Sequence, residues 1–384
     1  MGKKFLIITA SVGSGHEKAA GAIAEGIRKS FPHARLDIVD FMSWHTSAVN
    51  ALMKGCYLKM LAMVPNLYEF MYQFTAGKRK GGFIQLLMAY AMSISIKNLL
   101  RRYEPDVIIC THPFPAEAVS HLSERWRRRF LSAAVITDYS VHQMWICPHM
   151  DLYFVGCDFM EKQLMADGIN QSTIHVTGIP VAQCFQHELD KAQCRQKLNL
   201  AQEEPVVLMM GGGLGLGRIG LALEQLETIG ESLQLVVVAG RNKELLRRAE
   251  VARQHSHHKI TVYGYTDKIN QLMGAADVLL TKPGALTLTE AMSLGLPMLL
   301  HEPIPGPETD NARYMSGCGV AIWLHAGDNV AYILRQLLGD REKLAAMGEA
   351  ARIARKPEAV KEIVEVIKEN MDLSNYDGYW SDSD

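Results

Sequence analysis

The sequence lacks the features that mark several large protein classes. Its 384 residues hold seven cysteines, an odd number, and none falls in a C-x-x-C pair. A disulfide framework and a zinc ribbon are therefore both disfavoured, and a reducing cytoplasm fits. No run of about 18 apolar residues occurs, so no segment is expected to span a membrane. The strongest candidate, Phe83 to Leu100, is interrupted by Gln85, Ser93, Ser95, Lys97 and Asn98. The opening MGKKFLIITAS carries an apolar run of about six residues before Ser and Gly, too short for a signal-peptide core. No nucleic-acid-reading module is recognisable, and nucleic acid is not expected as a partner. Net charge is scarce too, at −1, but it is uneven. Residues 1–181 carry 19 Lys+Arg against 14 Asp+Glu, and the remainder 21 against 27. A basic first half suggests that this half faces something anionic.

What is present is a regular alternation. A hydrophobic content of 48% supports two packed cores, and the length suits two domains. Short runs of Val, Ile and Leu recur with helical stretches between them. In the first half they are Phe5–Ala10, Leu36–Asp40, Val107–Cys110, Ala134–Thr137 and Leu152–Val155. In the second half they are Val206–Met210, Leu235–Ala239, Ile260–Val262, Val278–Leu280, Met298–Leu300 and Val320–Trp323. Continuous apolar runs suit strands buried on both faces, as in parallel sheets covered by helices. The pattern predicts an α/β fold of two doubly wound, Rossmann-like domains facing across a cleft, hinged near Thr177–Val181. Ligands in such sheets sit beyond the carboxyl ends of the strands, so motifs at strand ends are the ones to read for chemistry.

Three strand ends carry such motifs. After the first run comes Ser11-Val12-Gly13-Ser14-Gly15-His16-Glu17. Its glycines permit a tight turn, and the following helix offers free N–H groups. The dinucleotide fingerprint fails there, because Lys18 occupies its third glycine position. His16, at the helix start, is a candidate base for an incoming hydroxyl. The second motif is Gly211-Gly212-Gly213-Leu214-Gly215-Leu216-Gly217, five glycines in seven residues, whose N–H groups could wrap a diphosphate. The next strand ends in Arg241, which suits phosphate rather than a ribose diol. The third runs from Thr281-Lys282-Pro283-Gly284 through Thr287 to Glu290. Glu290 lies within the first two helical turns, where a carboxylate can accept both hydroxyls of a ribose or can simply be solvated. Beyond it, Glu308, Asp310 and Asn311 offer hydrogen-bonding groups to sugar hydroxyls or cap the next helix.

The stretch Trp44 to Leu100 is rich in Met and aromatics, including Met53, Met60, Met63, Tyr68, Phe70 and Met71, and Lys78-Arg79-Lys80 follow. Met adapts to irregular apolar ligands, and basic residues beside apolar surface attract anionic headgroups. Arg125-Trp126-Arg127-Arg128-Arg129 repeats that pattern with an aromatic suited to an interface. The same residues could equally be core helices with a solvated charge run.

Taken in order, these motifs resemble those of the monogalactosyldiacylglycerol synthase and processive diacylglycerol glucosyltransferase family. A more distant likeness is to the peptidoglycan lipid N-acetylglucosaminyltransferase. The matching pieces are Gly13-Ser14-Gly15-His16, Thr137-Asp138-Tyr139 with His142 and Trp145, Thr177-Gly178-Ile179-Pro180, Ala239-Gly240-Arg241-Asn242, Thr281 to Glu290, and Pro305 to Asn311. The resemblance implies a B-type glycosyltransferase fold. It assigns 1–180 to acceptor and membrane, 181–355 to a UDP-sugar and 356–372 to a helix packing back on the first domain, while the acidic, aromatic end, 373–384, is expected to be a disordered tail. His16 becomes the general base, assisted by Asp138. Gly211, Gly212, Gly213, Gly215, Arg241, Tyr265, Lys282, Gly284, Thr287, Glu290, Glu308 and Asn311 become donor contacts, with Tyr265 at the uracil edge. Tyr68, Phe70, Lys78, Arg79, Lys80, Trp126, His142 and Trp145 become acceptor or membrane contacts. Relatives usually have Gln where this chain has Pro307. The implied reaction is inverting transfer of glucose or galactose from a UDP-sugar to a diacylglycerol-type lipid at an anionic membrane surface. That places the protein peripherally on the inner face of the cell membrane. No metal or other cofactor is expected, since the glycine loop and helix dipole would hold the diphosphate. The rivals are an N-acetylglucosamine donor, a UDP-sugar 2-epimerase on the same fold, and a non-catalytic nucleotide-sugar sensor.

Overall fold

The computed structural model describes residues 2–11, 14–41, 94–122, 126, 129–211, 219–301, 303 and 306–373. The chain divides into two compact units. One is built from Met1–Ala182, Pro305–Pro307 and Glu358–Asp384, the other from Gln183–Ile304 and Glu308–Pro357.

The first unit holds β1 (Lys4–Thr9), β2 (Arg35–Asp40), β3 (Val107–Cys110), β4 (Leu131–Val135), β5 (Leu152–Phe154) and β6 (Ile174–His175). The second holds β7 (Val206–Met210), β8 (Gln234–Val238), β9 (Lys259–Tyr263), β10 (Val278–Thr281), β11 (Met298–Leu300) and β12 (Ala321–Trp323). The strand orders are β2-β1-β3-β4-β5-β6 and β12-β11-β10-β7-β8-β9, and every pairing is parallel. These are the two doubly wound α/β sheets that the apolar runs predict. The reason is visible in the burial. β3, β4, β5, β7, β8, β10 and β11 are buried at every position, so both faces must be apolar. β2, at a sheet edge, is mostly partly open and keeps charged Arg35, Asp37 and Asp40. β6 is a two-residue edge strand with no apolar run to announce it.

The first unit is closed by the end of the chain. The helix Ala359–Leu373 lies against the helix Gly15–Ser30, and Ile363, Val364 and Ile367 join Ile23 and Ile27 in one core. Gly26 lets the helices approach, because a Cβ there would fall 2.4 Å from Val360 Cγ1. Among the described residues, no helix is long and apolar enough to cross a membrane.

Candidate active site

Strand order locates the binding crevices. In the first sheet the winding reverses between β1 and β3, and in the second between β7 and β10. The loops after those four strands are where a doubly wound sheet receives a ligand.

At the first reversal stands His16, the second residue of the helix Gly15–Ser30. Its Nδ1 is 2.8 Å from the carbonyl oxygen of Thr111, which follows β3, and 2.7 Å from Thr137 Oγ1, which follows β4. Thr111 Oγ1 donates back to the His16 carbonyl at 3.2 Å. A carbonyl can only accept, so Nδ1 carries the proton and Nε2 keeps its lone pair. The ring is only partly exposed. Its burial lowers the pKa to about 4, with the Thr111 bond acting in the opposite direction. The rings of His16 and His112 pack edge to face, 4.7 Å between centroids. His112 is itself buried, accepts from Phe114 N–H on Nδ1 and is held well below its ordinary pKa by burial first and His16 second. This corner therefore presents a neutral imidazole in one tautomer with Nε2 available as a base.

Two threonines are among the partners of His16. Thr111 and Thr137 hold the ring, and Asp138 is the chain neighbour of Thr137. Thr137, 3% exposed, points at the imidazole. Thr111 and His112 were not singled out from the sequence. Their signal was that Thr111-His112-Pro113 follows an apolar run, the same strand-end position that drew attention to His16.

The acceptor-side residues are scattered. His142 caps the short turn Gln143–Trp145, its Nδ1 accepting from Met144 N–H at 3.3 Å. Trp145 is 2% exposed and belongs to the core. Trp126 is also buried, with the guanidiniums of Arg101 and Arg129 over its ring at 5.8 and 5.3 Å. Such stacking satisfies the ring inside the fold. Tyr68, Phe70, Lys78, Arg79 and Lys80 lie outside the described residues, as does Gly13.

At the second reversal, Gly211 is buried directly after β7, while Gly212, Gly213 and Gly215 lie outside the described residues. After β10, Lys282 pairs its ammonium with Glu308 Oε1, both side chains mostly buried. A Cβ on Gly284 would meet both partners at 3.9 Å, so the ion pair flanks the start of the helix Ala285–Ser293. Asn311 is fully buried and donates from Nδ2 to the Pro283 carbonyl at 3.2 Å, tying the helix Pro307–Gly317 to this turn. Glu290 is 2% exposed, which excludes the solvated alternative. A buried carboxylate requires polar or cationic company to offset desolvation. Thr287 is partly buried in the same helix. Arg241 is exposed and lies 5.4 Å over the ring of Tyr265, itself 72% exposed, so these two form an open shelf beyond β8 and β9.

Both sheets and their switch-point loops define the B-type glycosyltransferase fold, which UDP-sugar 2-epimerases share. Over 96% of the chain, the structure superimposes on MurG of Acinetobacter baumannii with a TM-score of 0.65, at 14% identity and covering 99% of that protein. It also matches the UDP-GlcNAc 2-epimerase of Neisseria meningitidis bound to UDP-GlcNAc, with a TM-score of 0.60, 16% identity and coverage of 96% and 100%. At such identities the likeness shows the fold alone. The sequence decides between them. Residues 16–181 match the monogalactosyldiacylglycerol (MGDG) synthase family and residues 206–363 the glycosyltransferase family 28 C-terminal domain. The chain is 30% identical over 349 residues to a processive diacylglycerol beta-glucosyltransferase of Bacillus licheniformis, covering 90% of this chain and 89% of that one. The chain belongs to this family of lipid glycosyltransferases and is an enzyme.

Proposed function

We propose that the enzyme moves a hexose, glucose by its relatives' names, from a UDP-sugar to the hydroxyl of a diacylglycerol-type lipid, with inversion at the anomeric carbon. The observation that carries this reading is His16, neutral and fixed as the Nδ1–H tautomer by the Thr111 carbonyl. Nε2 takes the proton of the acceptor hydroxyl as its oxygen bonds to the anomeric carbon. The bond from that carbon to the diphosphate oxygen breaks, and UDP departs. Glycine-loop N–H groups meet the growing charge on the diphosphate. Arg241 and Tyr265 contact the nucleotide, Glu290 the ribose, and Glu308 and Asn311 the hexose. The excess of Lys and Arg in residues 1–181 favours an anionic lipid surface on the cytoplasmic side.

The test is a label-transfer assay. Protein is mixed with diacylglycerol in anionic micelles, and UDP-glucose, UDP-galactose and UDP-N-acetylglucosamine are offered in turn. Labelled lipid from UDP-glucose supports the reading in full. Labelled lipid from another donor alone corrects the sugar. Epimerised UDP-N-acetylglucosamine without labelled lipid overturns it.

A further inference from the structure

His301 follows β11 as Lys282 follows β10, and Leu300 is the register partner of Thr281. His301 therefore stands beside Lys282 at the carboxyl edge of the sheet. Its backbone N–H donates to the Thr281 carbonyl at 3.0 Å. Its side chain is only 6% exposed, and both ring nitrogens are buried without a hydrogen-bond partner. Buried polar atoms are nearly always satisfied, so two on one ring demand a reason. The fold itself has no use for them, since an apolar ring would fill the same volume without desolvating two nitrogens.

Burial first and the Lys282 ammonium second lower the His301 pKa to about 4. The ring is therefore neutral and offers one N–H donor and one acceptor nitrogen. That complement matches a sugar hydroxyl, which both donates and accepts, and it mismatches a phosphate, which would favour a charged imidazolium. The neighbours Lys282 and Glu308 already neutralise each other. Pro307, at the start of the next helix, offers no side-chain hydrogen-bonding group. His301 would therefore add to the hexose contacts proposed for Glu308 and Asn311.

We propose that His301 is a specificity-determining residue of the donor site, exchanging hydrogen bonds with a hydroxyl of the transferred hexose when it sits against the Lys282–Glu308 pair. This rests on the reading that the second unit holds a UDP-sugar. A site built to satisfy a hydroxyl discriminates against ligands that lack it, because its own polar groups are then left unpaired.

The experiment compares UDP and UDP-hexose binding by calorimetry, and transfer kinetics, in the full-length protein and its His301→Phe and His301→Gln variants. His301→Phe should weaken UDP-hexose binding and lower kcat/KM about 10-fold, with UDP affinity within about twofold of the original. Its melting temperature should not fall. His301→Gln, which keeps a donor and an acceptor, should recover most of the loss. Equal effects on UDP and UDP-hexose, no effect on either, or a Gln variant as impaired as Phe would overturn the assignment. Failure of the unsubstituted protein to bind either ligand would instead overturn the donor reading beneath it.

Discussion

His16 Nδ1 lies 2.7 Å from Thr137 Oγ1, a contact between residues 121 positions apart that is made where β1 and β4 end in the same sheet. With the Thr111 carbonyl at 2.8 Å from the same nitrogen, it fixes ring orientation and tautomer. In many histidine bases an acidic partner supplies that orientation and also stabilises the charged ring. Here two threonines supply orientation, and burial outweighs the Thr111 bond in setting the pKa.

Thr137 is thus a positioning residue. Thr137→Val, close to isosteric, should lower kcat about 10-fold with little change in the KM for the donor, in line with losing one buried hydrogen bond. Thr137→Ser should restore most of the rate. Equal KM and kcat effects, or no rescue by Ser, would mean that the threonine only fills space.

The pH dependence follows from the same geometry. The base must be neutral to act, and burial lowers its pKa to about 4. The plot of kcat/KM should therefore stay level from pH 8 down past 6 and fall only towards pH 4. A midpoint near the ordinary value of 6.5 would show that His16 is not held as described.

Stability has its own window. His16, His112 and His301 all have lowered pKa values in the folded chain. Below pH 6.5 the unfolded chain takes up protons that the folded chain does not accept until near pH 4. Their neutral burial thus favours the fold fully above pH 6.5, and that advantage is lost as pH falls from 6.5 towards 4. The melting temperature should drop across this interval, and His301→Phe should make the drop shallower. A level melting temperature between pH 6.5 and 4.5 would contradict the assignment.

Much of the fold was legible in the sequence, because buried parallel strands must be apolar on both faces. Val107–Cys110, Val206–Met210 and Met298–Leu300 are strands with the bounds their apolar runs suggest. The run Ala134–Thr137 was displaced, since β4 ends at Val135 and frees Thr137 to turn towards His16. Strand order was not legible, as it depends on which edges meet rather than on local pattern. The same holds for the site. His16 and Glu290 stood out from loop chemistry, but Thr111, His112 and the orphaned ring of His301 gain their meaning from partners, or their absence, across neighbouring strands. The stacking of Arg101 and Arg129 on Trp126 was not legible either, because an Arg-rich, aromatic stretch has the same composition whether it lies on a membrane or stacks inside a core.

Glu290 is 2% exposed, and the proposed function gives this buried carboxylate the ribose hydroxyls. Glu290→Gln keeps shape and removes charge. It should raise the KM for the UDP-sugar about 10- to 100-fold, the range for hydrogen bonds to a charged group, while kcat changes less. Unchanged binding of both UDP and UDP-sugar would remove Glu290 from the donor site.

The most direct test measures label passing from UDP-[14C]glucose into diacylglycerol, with the unsubstituted enzyme beside His16→Ala. Extracted lipid should carry label with the former, and His16→Ala should lower the rate about 10²- to 10⁴-fold, as expected for loss of a general base, while still binding UDP. Near-normal transfer by His16→Ala, or no labelled lipid from an enzyme that binds UDP tightly, would contradict the account.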